Sequence, residues 1–268
     1  MPQYAESDID LAIRLAAEGS AVALKQFRNP GLETCTKSDL SPVSLADHKT
    51  EQAMIALLER ERPDDALLTE ESGAFGKGDR EWIIDPIDGT RQYLLGLPYW
   101  ATLVALREND EIVVAAIDAP ALGRRWSAAK GSGAWVDGTE RIEVSNVSAL
   151  EGATLQHSDL GAWEKAGGSE PLVALSRRCM QTMGVGVFWM HCLVAEGRSE
   201  IALQPGVKTW DMAAPSLVVE EAGGRFSSLH GLPGPEHGTG LSTNGLLHGS
   251  VLDILSGFDI AQKPAAEF

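Results

Sequence analysis

The chain has 268 residues, of which 44% are hydrophobic and 22% charged, with a formal net charge of −16. That length suits one large α/β domain or two intimate subdomains, and the acidity excludes duplex nucleic acid and anionic membranes as partners for most of the surface. No apolar run approaches the roughly 20 residues of a membrane-spanning helix, and the opening Met1-Pro2-Gln3-Tyr4-Ala5-Glu6-Ser7-Asp8 lacks the basic and apolar regions of a secretory signal, so cytoplasmic residence is expected.

Ile9, Ile13, Ala16, Leu24 and Phe27 fall at helical spacing, with Asp8, Arg14, Glu18 and Lys25 off the stripe. This predicts an amphipathic helix closed by Asn29-Pro30-Gly31. Segment 36–47 is polar and contains Ser-Asp and Ser-Pro, so a loop or hairpin is expected. A second helix carries Met54, Leu57 and Leu58 and stops before Pro63. Ala66-Leu67-Leu68-Thr69 reads as a short strand delivering Glu70 and Glu71, and 72–78 as a glycine-rich loop. Glu81-Trp82-Ile83-Ile84-Asp85-Pro86-Ile87-Asp88-Gly89-Thr90 begins as a buried strand, becomes a doubly acidic turn and ends where a helix can start.

Stretches 101–106 and 112–117 are apolar strands joined by Glu108-Asn109-Asp110, the pattern of a hairpin. Shorter strands are expected at 125–129 and 133–136, and another at 153–156. Helices are expected at 171–180 and 188–195, and a strand at 201–203. A helix from Trp210 to Glu221 closes at Gly223-Gly224, where Pro215 fits only near the first turn. A last short helix spans 251–255, and 262–268 is expected to fray. The character changes near residue 145, giving an N-terminal subdomain, 1–145, and a C-terminal one, 146–268. Cys35, Cys179 and Cys192 are odd in number, lack metal-ligand spacing and read as reduced thiols.

Carboxylates recur at the ends of these elements: Asp47, Glu70 and Glu71, Asp85 and Asp88, and Asp211. Magnesium takes oxygen ligands in octahedral geometry, and two such ions about 4 Å apart can support an in-line displacement on phosphorus. Crowded carboxylates repel one another unless cations intervene. Singly, each acid also has a structural reading: Glu70 as a loop charge, Asp211 as a helix cap, Asp85 as a strand-end turn residue.

Jointly they make a pattern. Trp82-Ile83-Ile84-Asp85-Pro86-Ile87-Asp88-Gly89-Thr90, preceded by Glu70-Glu71-Ser72, is followed far downstream by Trp210-Asp211-Met212-Ala213-Ala214 and Val218-Val219-Glu220-Glu221-Ala222-Gly223-Gly224. The set resembles the inositol-monophosphatase family of lithium-sensitive, metal-dependent phosphatases, from the first helix to about Leu247. The resemblance implies an α/β (α+β) fold, a layered α/β/α/β/α sandwich of the inositol-monophosphatase/fructose-bisphosphatase type, and a homodimer. It implies that Glu70, Asp85 and the Ile87 carbonyl hold one Mg2+ and that Asp85, Asp88 and Asp211 hold a second. A third, weaker ion would sit near Glu70. The backbone N–H groups of Gly89 and Thr90 would bind phosphate, with Lys37 and Arg91 nearby. The Thr90 hydroxyl, paired with Asp47 and aided by Glu70, would orient and deprotonate the attacking water. The substrate implied is a small phosphate monoester.

Within the family, Ala119-Pro120-Ala121-Leu122-Gly123-Arg124-Arg125-Trp126, Phe188-Trp189, Leu193-Val194-Ala195-Glu196-Gly197 and Thr243-Asn244-Gly245 resemble the histidinol-phosphate phosphatase branch, which implies a place in histidine biosynthesis. The substrate-facing positions depart from that branch. Met183 stands where relatives usually have arginine, Val187 where they have aspartate, Gln204 where they have glutamate, and Gly206 where an acid is frequent. Gln92 occupies a place often held by asparagine. Histidinol carries two cationic or polar nitrogens that acids would pair, so inositol, nucleoside and sugar monophosphates stay open as substrates. A non-catalytic phosphate-ester-binding relative would be expected to lack a metal ligand or Thr90, and none is missing. The six histidines show no metal-ligand spacing. His157-Ser158-Asp159, Trp163 and Trp189 are candidates to line the pocket.

Overall fold

The computed structural model describes residues 5–36, 42–258 and 260–261. Lys37 and the segment 262–268 lie outside the described residues. Helix α1 (Ala5–Gln26) leads to a small antiparallel hairpin, β1 (Thr34–Thr36) and β2 (Pro42–Ser44), and then to α2 (Leu45–Glu61). A mixed sheet follows from β3 (Ala66–Thr69), β4 (Gly73–Phe75), β5 (Arg80–Asp88), β6 (Ala101–Glu108), β7 (Glu111–Ala119), β8 (Arg124–Ala129), β9 (Ala134–Val136) and β10 (Glu140–Ile142), with the short helix α3 (Thr90–Leu94) after β5. Its eight strands run in the order β10-β9-β8-β7-β6-β5-β3-β4. Only β3 and β5 are parallel; the other pairs are antiparallel.

The second half contributes β11 (Thr154–His157), α4 (Leu160–Lys165), α5 (Ser169–Ser176), β12 (Gln181–Met183), α6 (Val187–Ala195), β13 (Ile201–Pro205), α7 (Thr209–Glu221), β14 (Arg225–Ser227), β15 (Thr239–Thr243) and α8 (His248–Leu255). Its five strands are ordered β12-β11-β13-β15-β14. Alternation along each strand sorts the side chains into layers. Trp82, Ile84, Val104 and Leu106 face Leu11, Leu15 and Met54 of α1 and α2. Ile83, Leu103, Ala105 and Ile117 face Phe188, Val194, Leu217 and Val218 of α6 and α7. Helix α7 touches β14 and β15 on its other side. Leu155, Ile201 and Leu203 point outward to Trp163, Leu175, Val251 and Leu255 of α4, α5 and α8. The order is helix, sheet, helix, sheet, helix, which is the expected sandwich.

Several local expectations need correction. The buried stripe of α1 runs through Leu11, Ala12, Leu15, Ala16 and Ala23, while Leu24 is exposed. Small residues set this face because α1 lies close to its neighbours: a Cβ on Gly19 would sit 2.5 Å from Met54 Sδ. Asp8 is buried rather than solvent-facing, paired with Arg62 at 3.0 Å and Arg80 at 3.1 Å. The stretch 72–78 is not all loop, since β4 pairs with β3. Asp47 belongs to the first turn of α2, not to the preceding loop. The helix expected over 171–180 ends at Ser176, and β12 follows it. Trp163 is fully buried in the outer core and does not line a pocket. Pro215 stands in the second turn of α7. Its absent N–H forgoes one helical bond, in a helix held on both sides by sheets.

The end of α7 follows a Schellman pattern. Gly224 N–H donates to Val219 O at 2.9 Å, Gly223 N–H donates to Glu220 O at 3.0 Å, and Gly223 has φ +88. A Cβ on Gly224 would meet Thr243 O, a backbone atom of β15, at 2.6 Å. Backbone cannot rotate away, so Gly224→Ala should destabilise the protein by about 1–3 kcal/mol, read as a lowered urea midpoint.

Candidate active site

The site forms where β3 and β5 end side by side. Their parallel register places Thr69 beside Ile84, and Glu70 N–H donates to Ile84 O at 3.3 Å. Glu70 therefore emerges next to Asp85 and adds its charge to that carboxyl's surroundings.

Asp85 and Asp88 are an odd number of residues apart, so a regular strand would point them to opposite faces. A bulge corrects this. Along β5 the pairing passes from Asp85↔Leu103 to Asp88↔Ala101, three steps against two on β6. The extra residue brings both carboxylates to one side. Pro86, with no N–H to lose, sits inside the bulge, and Thr102 Oγ1 donates to its carbonyl at 2.9 Å. Ile87 N–H donates to Asp85 Oδ1 at 3.0 Å and closes the turn.

Two helices bring the remaining groups. In the first turn of α7, Asp211 Oδ2 accepts Lys208 N–H at 2.7 Å. At the start of α6, Phe188 N–H donates to Asp88 Oδ2 at 2.6 Å. Carboxylate oxygens of Asp85, Asp88 and Asp211 lie within 4.8 Å of one another. Burial, then the Glu70, Asp88 and Asp211 charges, hold the Asp85 carboxyl well above the usual range. Burial and then Asp211 do the same to Asp88, against the opposing Phe188 N–H. Among the described residues, neither Asp85 nor Asp88 has an ion pair. A converging set of hard oxygen donors fits a divalent cation.

Beside this cluster, Thr90 Oγ1 lies 3.2 Å from Asp47 Oδ1 and 3.1 Å from Ile87 O. Asp47 is fixed from the other side by a capping box: Ser44 N–H donates to Oδ2 at 2.8 Å and Ser44 Oγ at 2.6 Å. Burial raises the Asp47 carboxyl, and the Ser44 and Thr90 hydrogen bonds oppose that. Tyr93 anchors α3, donating to Ala23 O at 2.7 Å and packing edge-on against Trp100 at 4.9 Å. Gly89 has φ +88, and a Cβ there would touch Tyr99 O at 3.2 Å and Val187 Cγ1 at 3.4 Å.

The residues chosen from the sequence thus divide. Glu70, Asp85, Asp88 and Asp211 form one cluster, Asp47, Thr90 and the Ile87 carbonyl a second beside it, and Val187 reaches Gly89. Arg91 is exposed on α3. Met183, 40% exposed on the edge strand β12, lies 3.7 Å through Sδ from Gln156 Nε2. Gln204, one residue before the end of β13, has Oε1 buried and without a hydrogen-bond partner. Gln156 Oε1, on neighbouring β11, and Ser158 Oγ, just past its end, share that condition. Of these two, Gln156 does not stand out in the sequence, because a lone glutamine in a strand carries no signal. Val187 has φ +51, a strained setting for a β-branched residue. Trp189 stacks on Tyr99 at 6.1 Å. His191 and His248 are buried core residues, pushed down to about 3 and about 4 by desolvation. His157 Nδ1 is 2.6 Å from its neighbour's carbonyl, Ser158 O.

Residues 5–255 match the model of the inositol monophosphatase family. A histidinol-phosphatase of Streptomyces coelicolor is 41% identical, over 96% of this chain and 99% of its own. One from Mycobacterium tuberculosis is 43% identical, over 93% and 98%. Among solved structures, an inositol monophosphatase from Zymomonas mobilis superposes with a TM-score of 0.84 at 32% identity, covering 96% of this chain and 100% of that one. No helix among the described residues is long and apolar enough to cross a membrane. The chain belongs to the inositol monophosphatase family and is a phosphatase, a phosphoric monoester hydrolase.

Proposed function

We propose that the chain is a magnesium-dependent phosphatase of the histidinol-phosphatase type, acting on a small alcohol phosphate. The observation that carries this is the Asp85, Asp88 and Asp211 cluster set beside the Thr90–Asp47 pair, and the identity to two histidinol-phosphatases points to the substrate class. Asp85, Asp88 and Asp211, with Glu70 and the Ile87 carbonyl, would hold the magnesium ions. Bound magnesium neutralises phosphate charge and makes water a stronger acid.

The chain's own groups supply position and proton handling. If Thr90 donates to Asp47, its remaining lone pairs face outward to accept from the attacking water. Asp47 then holds the proton that Thr90 gives up, and Ser44 keeps the carboxylate aimed. The backbone N–H groups of Gly89 and Thr90 bind the phosphate oxygens. Phosphoryl transfer asks little more of a protein than positioning and charge neutralisation.

A second reading of the substrate is favoured by Gln204 Oε1, buried without a partner. With Val187 and Met183 also uncharged, the leaving-group side suits hydroxyl donors, as in inositol or sugar phosphates. A panel of phosphate esters compared by kcat/KM decides between them. Histidinol phosphate should lead the panel, and Val187→Asp should raise its kcat/KM about tenfold, because a hydrogen bond to a charged group contributes about 1.5–3 kcal/mol. Aspartate also tolerates positive φ better than valine. A panel led by inositol monophosphate would install the second reading, and no magnesium-dependent release from any ester would remove both.

A further inference from the structure

We propose that Glu51 is a positioning residue for Glu70, and that α2 thereby aligns both halves of the catalytic acid set. This rests on the metal-dependent phosphatase reading, in which Glu70 is a ligand. Asp47 and Glu51 are one helical turn apart on α2, so they share a face. Asp47 reaches Thr90. Glu51 reaches the turn that carries Glu70: its Oε2 accepts Glu71 N–H at 2.9 Å, and its Oε1 accepts the Ser72 hydroxyl.

Glu51 is 1% exposed, so water does not satisfy this carboxylate in place of the turn. The same turn is held at its other end by Glu70 N–H on Ile84 O and by Ser72 N–H on Thr69 Oγ1 at 3.3 Å. Glu70 is thus clamped between β5 and α2. A buried carboxylate on the N–H and the hydroxyl of the two residues following a ligand is the kind of outer support whose loss typically costs 10–100-fold in metal affinity. A merely structural role would lower stability and leave metal affinity alone.

Mn2+ binding to the full chain, counted by electron paramagnetic resonance, separates the two. Glu51→Ala, folded by circular dichroism, should bind Mn2+ 10–100-fold more weakly than wild type, with a matching rise in the magnesium needed for half-maximal rate and little change in KM for the ester. Glu51→Gln, which keeps one acceptor oxygen, should recover part of the loss. Ser72→Ala, which leaves the bond to Glu71 intact, should shift affinity the same way but less, and it carries the test if Glu51→Ala does not fold. Wild-type Mn2+ affinity in a folded Glu51→Ala or Ser72→Ala variant overturns the proposal. Absence of metal-dependent turnover in wild type would instead overturn the phosphatase reading, and the Mn2+ measurement would still report on Glu51.

Discussion

Asp85→Asn should lower kcat/KM on the order of 10³-fold while making the metal-free protein more stable. The two effects have one cause. Asp85 is buried and faces Glu70, Asp88 and Asp211. With a cation present, its charge is needed. Losing a few kcal/mol of charge stabilisation at phosphorus corresponds to about three decades in rate. Without a cation, the same charge is a burden. The folded-state pKa of Asp85 is raised above the unfolded value of about 3.8. The native state therefore binds more protons than the unfolded state above that pH, and stability falls as pH rises through the raised pKa. Asparagine at 85 cannot ionise and removes that contribution.

Melting the EDTA-treated protein at pH 5 and pH 8 checks this. Wild type should lose more stability between the two than Asp85→Asn does, and magnesium at pH 8 should restore wild type but not the variant. Activity within tenfold of wild type, or identical pH slopes, would sink the assignment of Asp85 as a shared ligand.

The sequence shows Asp85 and Asp88 plainly, because an ordered local string carries them. It does not show why they cooperate. Their odd spacing demands the bulge at Pro86, and a bulge is visible only in the register with β6. Asp47 and Glu51 were harder for a related reason. The polar run before α2 reads as loop, yet Ser44 caps the helix and puts Asp47 in its first turn. Glu51 is an unremarked glutamate on a helix until its partners, 20 residues downstream, fold over it. The layers were legible from periodicity and resemblance together, whereas the three-residue strands β10 and β12 and the six-residue α4 are too short to show a period. Propensity in isolation puts Pro215 nearer the start of α7 than it stands, because it ignores the two sheets that clasp that helix. Val187 shows the same limit: nothing local announces a valine at positive φ, and only the tight meeting of α6 with Gly89 and Asp88 explains why the chain turns there.

Thr90→Val should reduce kcat about 10²–10⁴-fold, the usual worth of a positioned proton-transfer group, and should leave Mn2+ binding unchanged. Valine keeps the shape of threonine and removes only the hydroxyl that stands between Asp47 and Ile87 O. Asp47→Asn attacks the same hydrogen bond from its far end, leaving the 3.2 Å contact without a full negative charge to draw the proton. It also weakens the Ser44 cap, which costs about 0.5–2 kcal/mol, so the melting temperature of Asp47→Asn drops modestly and that of Thr90→Val does not. If the two residues form one relay, the double variant falls no further than the worse single, because groups acting as a unit are strongly non-additive. Losses that multiply would mean that Thr90 and Asp47 act separately, with Thr90 binding phosphate and Asp47 only capping α2. The relay also predicts which kinetic constant moves. Neither residue is required to bind the ester before the proton leaves water, so KM stays within a few-fold of wild type while kcat carries the loss.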